Sequence, residues 1–237
     1  MDARNLTYRP APVQSGGIAP ATPDLKRSNR QYHSIAPRYD ANCTRIETLR
    51  IEAIDRLQLR PGETVVDVGC GTGLGFLHLI ERIGRGGHLI GIEPNSAMMA
   101  RARRRVECAG WRNVTLIEAS AQLAVVPEPA DALLFCFTHD VLRTPATLSR
   151  LLTRVRPNAR IAAAGVRFAP WWLAPLNVWL LLRCRHYLTT FDGMSAPWSH
   201  LAALVPGLTV ESRRCGTAWV ASGQVPTHRF PSPEITR

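Results

Sequence analysis

Apolar positions in this chain follow two different periods. From Ile46 to Leu57 they recur at helical spacing, at Ile46, Leu49, Ala53, Ile54 and Leu57, until the turn signal RPGE at 60–63 ends the run. Short β-rich runs then alternate with helical patterns. A strand is predicted at 64–68 (TVVDV), then a helix with Phe76, Leu79, Ile80 and Ile83 on one face, closed by Gly84 and Gly86–Gly87. A strand at 88–92 (HLIGI) and a helix capped near Asn95–Ser96 follow, with further strands at 114–117, 131–137 and 161–166 and a helix over about 141–154.

Several of these strands are apolar throughout, as a parallel sheet covered by helices on both faces requires. The order of elements predicts a doubly wound α/β fold with a mostly parallel sheet. Two late runs, 208–212 and 217–221, flank RRCG and predict a closing antiparallel hairpin. No internal repeat is visible. Residues 1–30 and 225–237 carry Pro, Gly, Ser and Thr without periodicity and are expected to be flexible tails, bracketing N-terminal helices at 31–60 and the main domain at 61–224.

At 237 residues the chain suffices for one full α/β domain, and its 46% hydrophobic and 20% charged residues are near globular averages. The formal net charge of +11 suggests a polyanionic partner, but the positive charge is almost all arginine, with Lys26 the only lysine. Together with the abundant alanine, this is what the codon bias of a GC-rich genome produces. The one dense cluster, Arg101, Arg103, Arg104 and Arg105, falls on a predicted helix and reads as a solvated face, so nucleic acid is disfavoured as a partner. Six widely spaced cysteines form no C-x-x-C and no metal-ligand grouping, so no metal is expected, and reduced thiols point to the cytoplasm. The segment APWWLAPLNVWLLL at 169–182 is too short and too broken by Pro170, Pro175 and Asn177 to cross a bilayer, though it leaves peripheral membrane contact open.

The turn VVDVGCGTG at 65–73 carries the chemistry. In a doubly wound sheet the first strand-to-helix turn meets the cofactor, because glycines let a ligand approach the backbone. A dinucleotide fingerprint needs G-x-G-x-x-G, but the third position falls on Leu74 or Phe76. The spacing present is D-x-G-x-G-x-G, at Asp67, Gly69, Gly71 and Gly73. This stretch resembles the cofactor motif of class I S-adenosylmethionine-dependent methyltransferases, over about residues 30–222.

The resemblance implies the Rossmann-like methyltransferase fold, S-adenosylmethionine as cofactor, and a cofactor role for those four residues. It also assigns the ribose hydroxyls to Glu93 of GIEP, twenty residues beyond Gly73, and the adenine to Ser120 and Ala121 of EASAQL, where the family has an Asp-Ala pair. The segment YHSIAPRYD at 32–40 resembles the lid of ubiquinone and menaquinone C-methyltransferase relatives, which places Tyr32 and Tyr39 against the sulfonium. The run from Arg167 to Tyr187 occupies the position of that family's acceptor cover, about 167–200, and nominates Arg167, Trp171 and Trp172 as pocket residues.

His139 and Asp140 follow the fourth strand, at the rim where an acceptor must meet the methyl group. Either His139 is a general base oriented by Asp140, or Asp140 caps the next helix and His139 is a loop residue. Methyl transfer to a small, apolar or lipid-like acceptor is the function expected. Aminocarboxypropyl transfer on the same fold and an RNA-directed module are its rivals.

Overall fold

Strand β1 (Thr64–Val68) has no exposed residue, so it must run through the middle of a sheet covered on both faces. The computed structural model, which describes residues 23–185 and 187–226, has it there. The sheet has seven strands in the order β3-β2-β1-β4-β5-β7-β6. These are β2 (His88–Ile92), β3 (Val114–Ile117), β4 (Ala130–Cys136), β5 (Val155–Val166), β6 (Thr209–Arg213) and β7 (Ala218–Gln224). The first five strands pair in parallel, while β7 runs antiparallel to both β5 and β6. The doubly wound, mostly parallel fold with its closing hairpin is therefore as expected.

Alternation along each strand sorts side chains between two cores. On one face Val65, Leu89 and Leu134 pack under the helices α3 (Glu47–Arg56), α4 (Phe76–Ile83) and α5 (Ser96–Ala109). On the other, Val66, Val68, Ile90, Ile92 and Phe135 pack under α7 (Pro145–Leu152) and α9 (Ser199–Leu204). Ahead of this domain lie α1 (Leu25–Ile35) and α2 (Tyr39–Cys43); α6 (His139–Leu142) follows β4, and α8 (Ala174–Cys184) follows β5. All six cysteines are unbridged.

Three expectations are corrected. The single helix expected over 141–154 is two, because Pro145 lacks an N–H and keeps Thr144 out of the helical region, at φ −117° and ψ 88°. Strand β5 begins at Val155 rather than 161 and passes Asn158 at φ 61°, beside a register shift in its pairing with β4. Helix α1 starts inside the segment expected to be loose through residue 30, because the Asp24 carboxylate accepts the Arg27 N–H at 2.9 Å and caps it. The rest of both expected tails, 1–22 and 227–237, lies outside the described residues.

Ile54 is fully buried on the inner face of α3, whereas Leu123 is 74% exposed. Ile54→Ala is expected to lower unfolding free energy by about 2–5 kcal/mol in denaturant titration, while Leu123→Ala stays within about 0.5 kcal/mol.

Candidate functional site

The chain leaves β1 toward β2 and β3 on one side and returns to β4 on the other, so a crevice opens between the carboxyl ends of β1 and β4. Residues after β1 line its floor. Gly69 has φ +71°, and a Cβ there would stand 2.5 Å from the Thr138 methyl group at the head of β4. No other residue allows these two turns to meet. At Gly71 (φ +59°) the nearest atom to an added Cβ is on the Tyr39 ring, 3.9 Å away, so bare backbone faces that ring.

Glu93, at the end of β2, is buried and accepts the Gly71 N–H at 3.1 Å and the Asn95 N–H at 2.8 Å. Burial pushes its pKa up to about 7, against the pull of those two N–H groups. Asp67 points to the α3 side, where burial raises its pKa to about 7 against the charge of the buried Arg50 guanidinium. It therefore lies below the turn.

The crevice is a cavity of about 320 Å³ that includes Gly69, Glu93, Pro94, Asn95 and Asp140 in its lining. A smaller, mainly apolar recess of about 50 Å³ extends it between Ile92, Pro94, Ala121 and Val141, with Ser120 at its edge. A third cavity, of about 210 Å³, lies under α8 and is lined by Ala164, Val166, Trp179, Leu180, Cys184 and Trp219 among others. This cavity and the crevice share a wall. Tyr32, Tyr39, Phe137, Thr138, His139, Tyr187 and Leu188 border both.

Three of those residues form an aromatic cluster, with Tyr32, Tyr39 and Tyr187 ring centroids 6.1–6.4 Å apart and the rings tilted or edge-on. The Tyr32 hydroxyl donates to the Tyr187 carbonyl at 3.1 Å, joining α1 to the segment after α8. The N-terminal helices are also tied to the glycine turn. Asp40 accepts the Thr72 hydroxyl at 2.5 Å and pairs with Arg105 at 2.7 Å, while Arg105 Nε donates to the Thr72 carbonyl at 3.0 Å. Arg105 therefore serves the turn, and its neighbour Arg103 pairs with Glu118, so two of the four clustered arginines are committed to ion pairs.

The expected residues divide. Glu93, Gly69, Ser120, Ala121, Tyr32, Tyr39, His139 and Asp140 all border the crevice or its recess. Trp171 and Trp172 do not line the cavity under α8: they are 83% and 66% exposed and pack edge-to-face on each other, while Trp179 and Trp219 supply its indole walls. Arg167 lies over the Trp198 ring at 5.2 Å and donates to the Phe168 carbonyl, a packing role in place of a pocket rim.

His139 and Asp140 do not form the expected pair. The His139 Nε2 faces the Asp192 carbonyl at 3.1 Å, and burial drives its pKa down to about 4. Asp140 accepts the Thr189 hydroxyl at 2.9 Å and makes no cap, since α6 has no side-chain cap. Tyr187, Phe137, Asp40 and Thr72 were not singled out by the sequence reading. Of these only Phe137 carries a backbone mark, a positive φ of 59° in a non-glycine residue at the shared wall.

Residues 65–158 match the methyltransferase domain family. A ribosomal protein L11 methyltransferase of Cupriavidus necator is 33% identical over 138 residues, which cover 51% of this chain but only 40% of that enzyme. A 2-phytyl-1,4-naphtoquinone methyltransferase of Thermosynechococcus vestitus is 26% identical over 187 residues, 72% of this chain and 78% of that one. Among solved structures, the N-methyltransferase NodS of Bradyrhizobium japonicum in complex with S-adenosylhomocysteine has the same fold, with a TM-score of 0.62 at 12% identity over 84% of this chain and 99% of that one. Residues 65–158 thus match a methyltransferase domain, set in a chain that has the fold of these solved methyltransferases. The S-adenosylhomocysteine in that neighbour is the demethylated form of S-adenosylmethionine, the cofactor that the glycine turn's resemblance implies.

The residues present fit that cofactor. The glycine turn offers uncovered backbone, Glu93 a buried carboxylate, and Asp140 Oδ1 a buried oxygen without a partner on the same crevice. The apolar recess beyond them suits a purine ring.

Two outcomes follow from this geometry. Gly69→Ala drives a methyl group into Thr138 at a left-handed φ and should abolish measurable S-adenosylhomocysteine binding in calorimetry, whereas Cys108→Ala, at an exposed site, leaves it intact. Glu93 has a folded pKa of about 7 against an ordinary 4.5, so the folded state without ligand holds the proton more tightly than the unfolded chain. Its contribution to stability is full below about pH 4.5 and is lost as pH rises through 7, on the order of 1–3 kcal/mol. Glu93→Gln should flatten that part of the dependence of denaturation midpoint on pH, and an unchanged slope would contradict the burial argument.

Proposed function

We propose that this chain transfers the methyl group of S-adenosylmethionine to a small apolar or lipid-like acceptor held in the cavity under α8. The observation that carries the reading is the wall shared by the cofactor crevice and an apolar cavity of about 210 Å³. Relatives named for ribosomal protein L11 and for a phytyl naphthoquinone would pull the assignment in different directions. The mainly apolar lining under α8 favours the second kind of acceptor. The ion pairs that occupy Arg103 and Arg105 weaken the case for a phosphate-binding stripe.

When bound, S-adenosylmethionine supplies an electrophilic methyl group on a sulfonium. The residues of this chain hold and align. Gly69, Gly71 and Gly73 shape the turn and Asp67 supports it from beneath; Glu93 would accept ribose hydroxyls, and Ser120 and Ala121 would border the base. Tyr32, Tyr39 and Tyr187 turn their rings toward one junction, where they exclude water and can face a cation.

His139 holds its proton on Nε2 toward Asp192, leaving Nδ1 as a weakly basic lone pair, buried and without a partner. A base with pKa about 4 lies far from the optimum for proton removal near neutrality, so alignment carries the rate. His139→Ala is therefore expected to cost less than about tenfold in turnover, and a loss of ~10²–10⁴ would restore a general base.

The assignment is tested with S-adenosylmethionine labelled at the methyl group and cell extracts divided into lipid, protein and RNA fractions. Label should enter the lipid fraction, and Leu180→Trp, which fills the cavity, should cut it at least tenfold while S-adenosylhomocysteine binding stays unchanged. Label in protein or RNA overturns the acceptor class. Transfer from the aminocarboxypropyl carbons instead of the methyl overturns the reaction.

A further inference from the structure

The cover after β5 presents an apolar surface that no part of the described chain covers. Trp171 is 83% exposed, Trp172 66%, Val178 56%, Trp179 53% and Leu182 58%. On α8 the exposed positions 175, 178, 179 and 182 lie one turn apart on a single face, and all four are apolar. The opposite side is anchored: Leu180 is buried, and the Asn177 side chain bonds both the N–H and the carbonyl of Ala169. The helix therefore holds this face outward by construction.

The cover itself carries charge of one sign. No aspartate or glutamate occurs between Asp140 and Asp192. Arg183 and Arg185 are exposed at the end of α8, and the Gln31 side chain donates to the Arg185 carbonyl, which brings α1 with its exposed Lys26, Arg27 and Arg30 alongside. The patch is also continuous with the acceptor cavity, since Trp179 and Arg183 belong to both. Among the described residues no helix is long and apolar enough to cross a membrane, so a bilayer would be met from its surface.

We infer that the face formed by Trp171, Trp172, Val178, Trp179 and Leu182 docks on an anionic lipid bilayer, with the indoles in the headgroup region and the arginines on the phosphates. Indole rings and arginine side chains suit that boundary because each joins an apolar body to a polar group. Docking there sets the mouth of the cavity against the acyl layer, from which an apolar acceptor enters without crossing water. The inference rests on the proposed acceptor class, although the docking itself does not require it.

The test is co-sedimentation with two sets of vesicles, phosphatidylcholine alone and phosphatidylcholine with 30% phosphatidylglycerol, read together with tryptophan fluorescence. The wild-type chain should partition at least tenfold more strongly to the anionic vesicles, with a blue-shifted emission, and should be released by 0.5 M salt. The double variant Trp171→Ser, Trp172→Ser should lose at least tenfold of that partitioning while keeping its thermal midpoint and its S-adenosylhomocysteine affinity.

Equal partitioning of wild type and double variant, or equal binding to both vesicle sets, overturns the inference. So does self-association through the patch, seen as a concentration-dependent dimer that the double variant lacks, without vesicle binding. Vesicle binding in a chain that fails to bind S-adenosylhomocysteine would leave the surface standing and refute the functional reading instead.

Discussion

The turn that leaves β1 and the turn that leaves β4 touch each other, and the contact exists only because residue 69 has no side chain. A Cβ at Gly69 would lie 2.5 Å from the Thr138 methyl group. That contact joins the two turns that floor the crevice. On one side it fixes the Gly71 N–H against Glu93, and on the other it fixes Thr138, His139 and Asp140 at the rim of β4. The left-handed backbone at Gly69, Gly71 and Gly73 is how the chain turns without filling the crevice it borders.

Two buried carboxylates sit beneath and beside this turn, and both are held toward their neutral forms by burial. A ligand bearing positive charge and hydroxyl donors relieves that state, because charge-assisted hydrogen bonds favour ionised carboxylates. Both thus depress the stability of the empty fold near neutral pH, and Glu93, on the crevice, favours a ligand with hydroxyl donors. The N-terminal helices close over the site through polar ties, Asp40 with Thr72 and Arg105, and Asn29 with Asn95, in addition to tyrosine packing. Polar ties of this kind exchange with water at small net cost. A cover that must admit a ligand is suited by them.

The fold was legible because its signals are local. Continuous apolar strands, helix-period faces and glycine stops each act over a few residues, and they located six of the seven strands to within about three residues at each end. β5 escaped because its first half, from Val155 to Asn158, is mostly exposed and carries no alternation that marks a strand. The floor of the crevice was legible for a similar reason, since a left-handed turn demands glycines at fixed offsets. The wall shared with the acceptor cavity was not. Tyr187 joins Tyr32 and Tyr39 across more than 140 residues, and nothing in its neighbours distinguishes it from the other aromatic residues of the cover. Trp171 and Trp172 misled in the opposite direction: adjacent indoles suggest a pocket, yet they face outward. His139 was correctly placed at the rim, but its basicity depends on burial and on the Asp192 carbonyl, neither of which the sequence displays.

One wall of aromatic and β4-rim residues separates the crevice from the cavity under α8. A crystal structure of the chain with S-adenosylhomocysteine bound tests it most directly. The nucleoside is expected between Glu93 and the Ser120–Ala121 recess, with the sulfur at the junction of Tyr32, Tyr39 and Tyr187 and directed into the cavity under α8. A sulfur directed away from that cavity, or a nucleoside bound outside the crevice between β1 and β4, would contradict it.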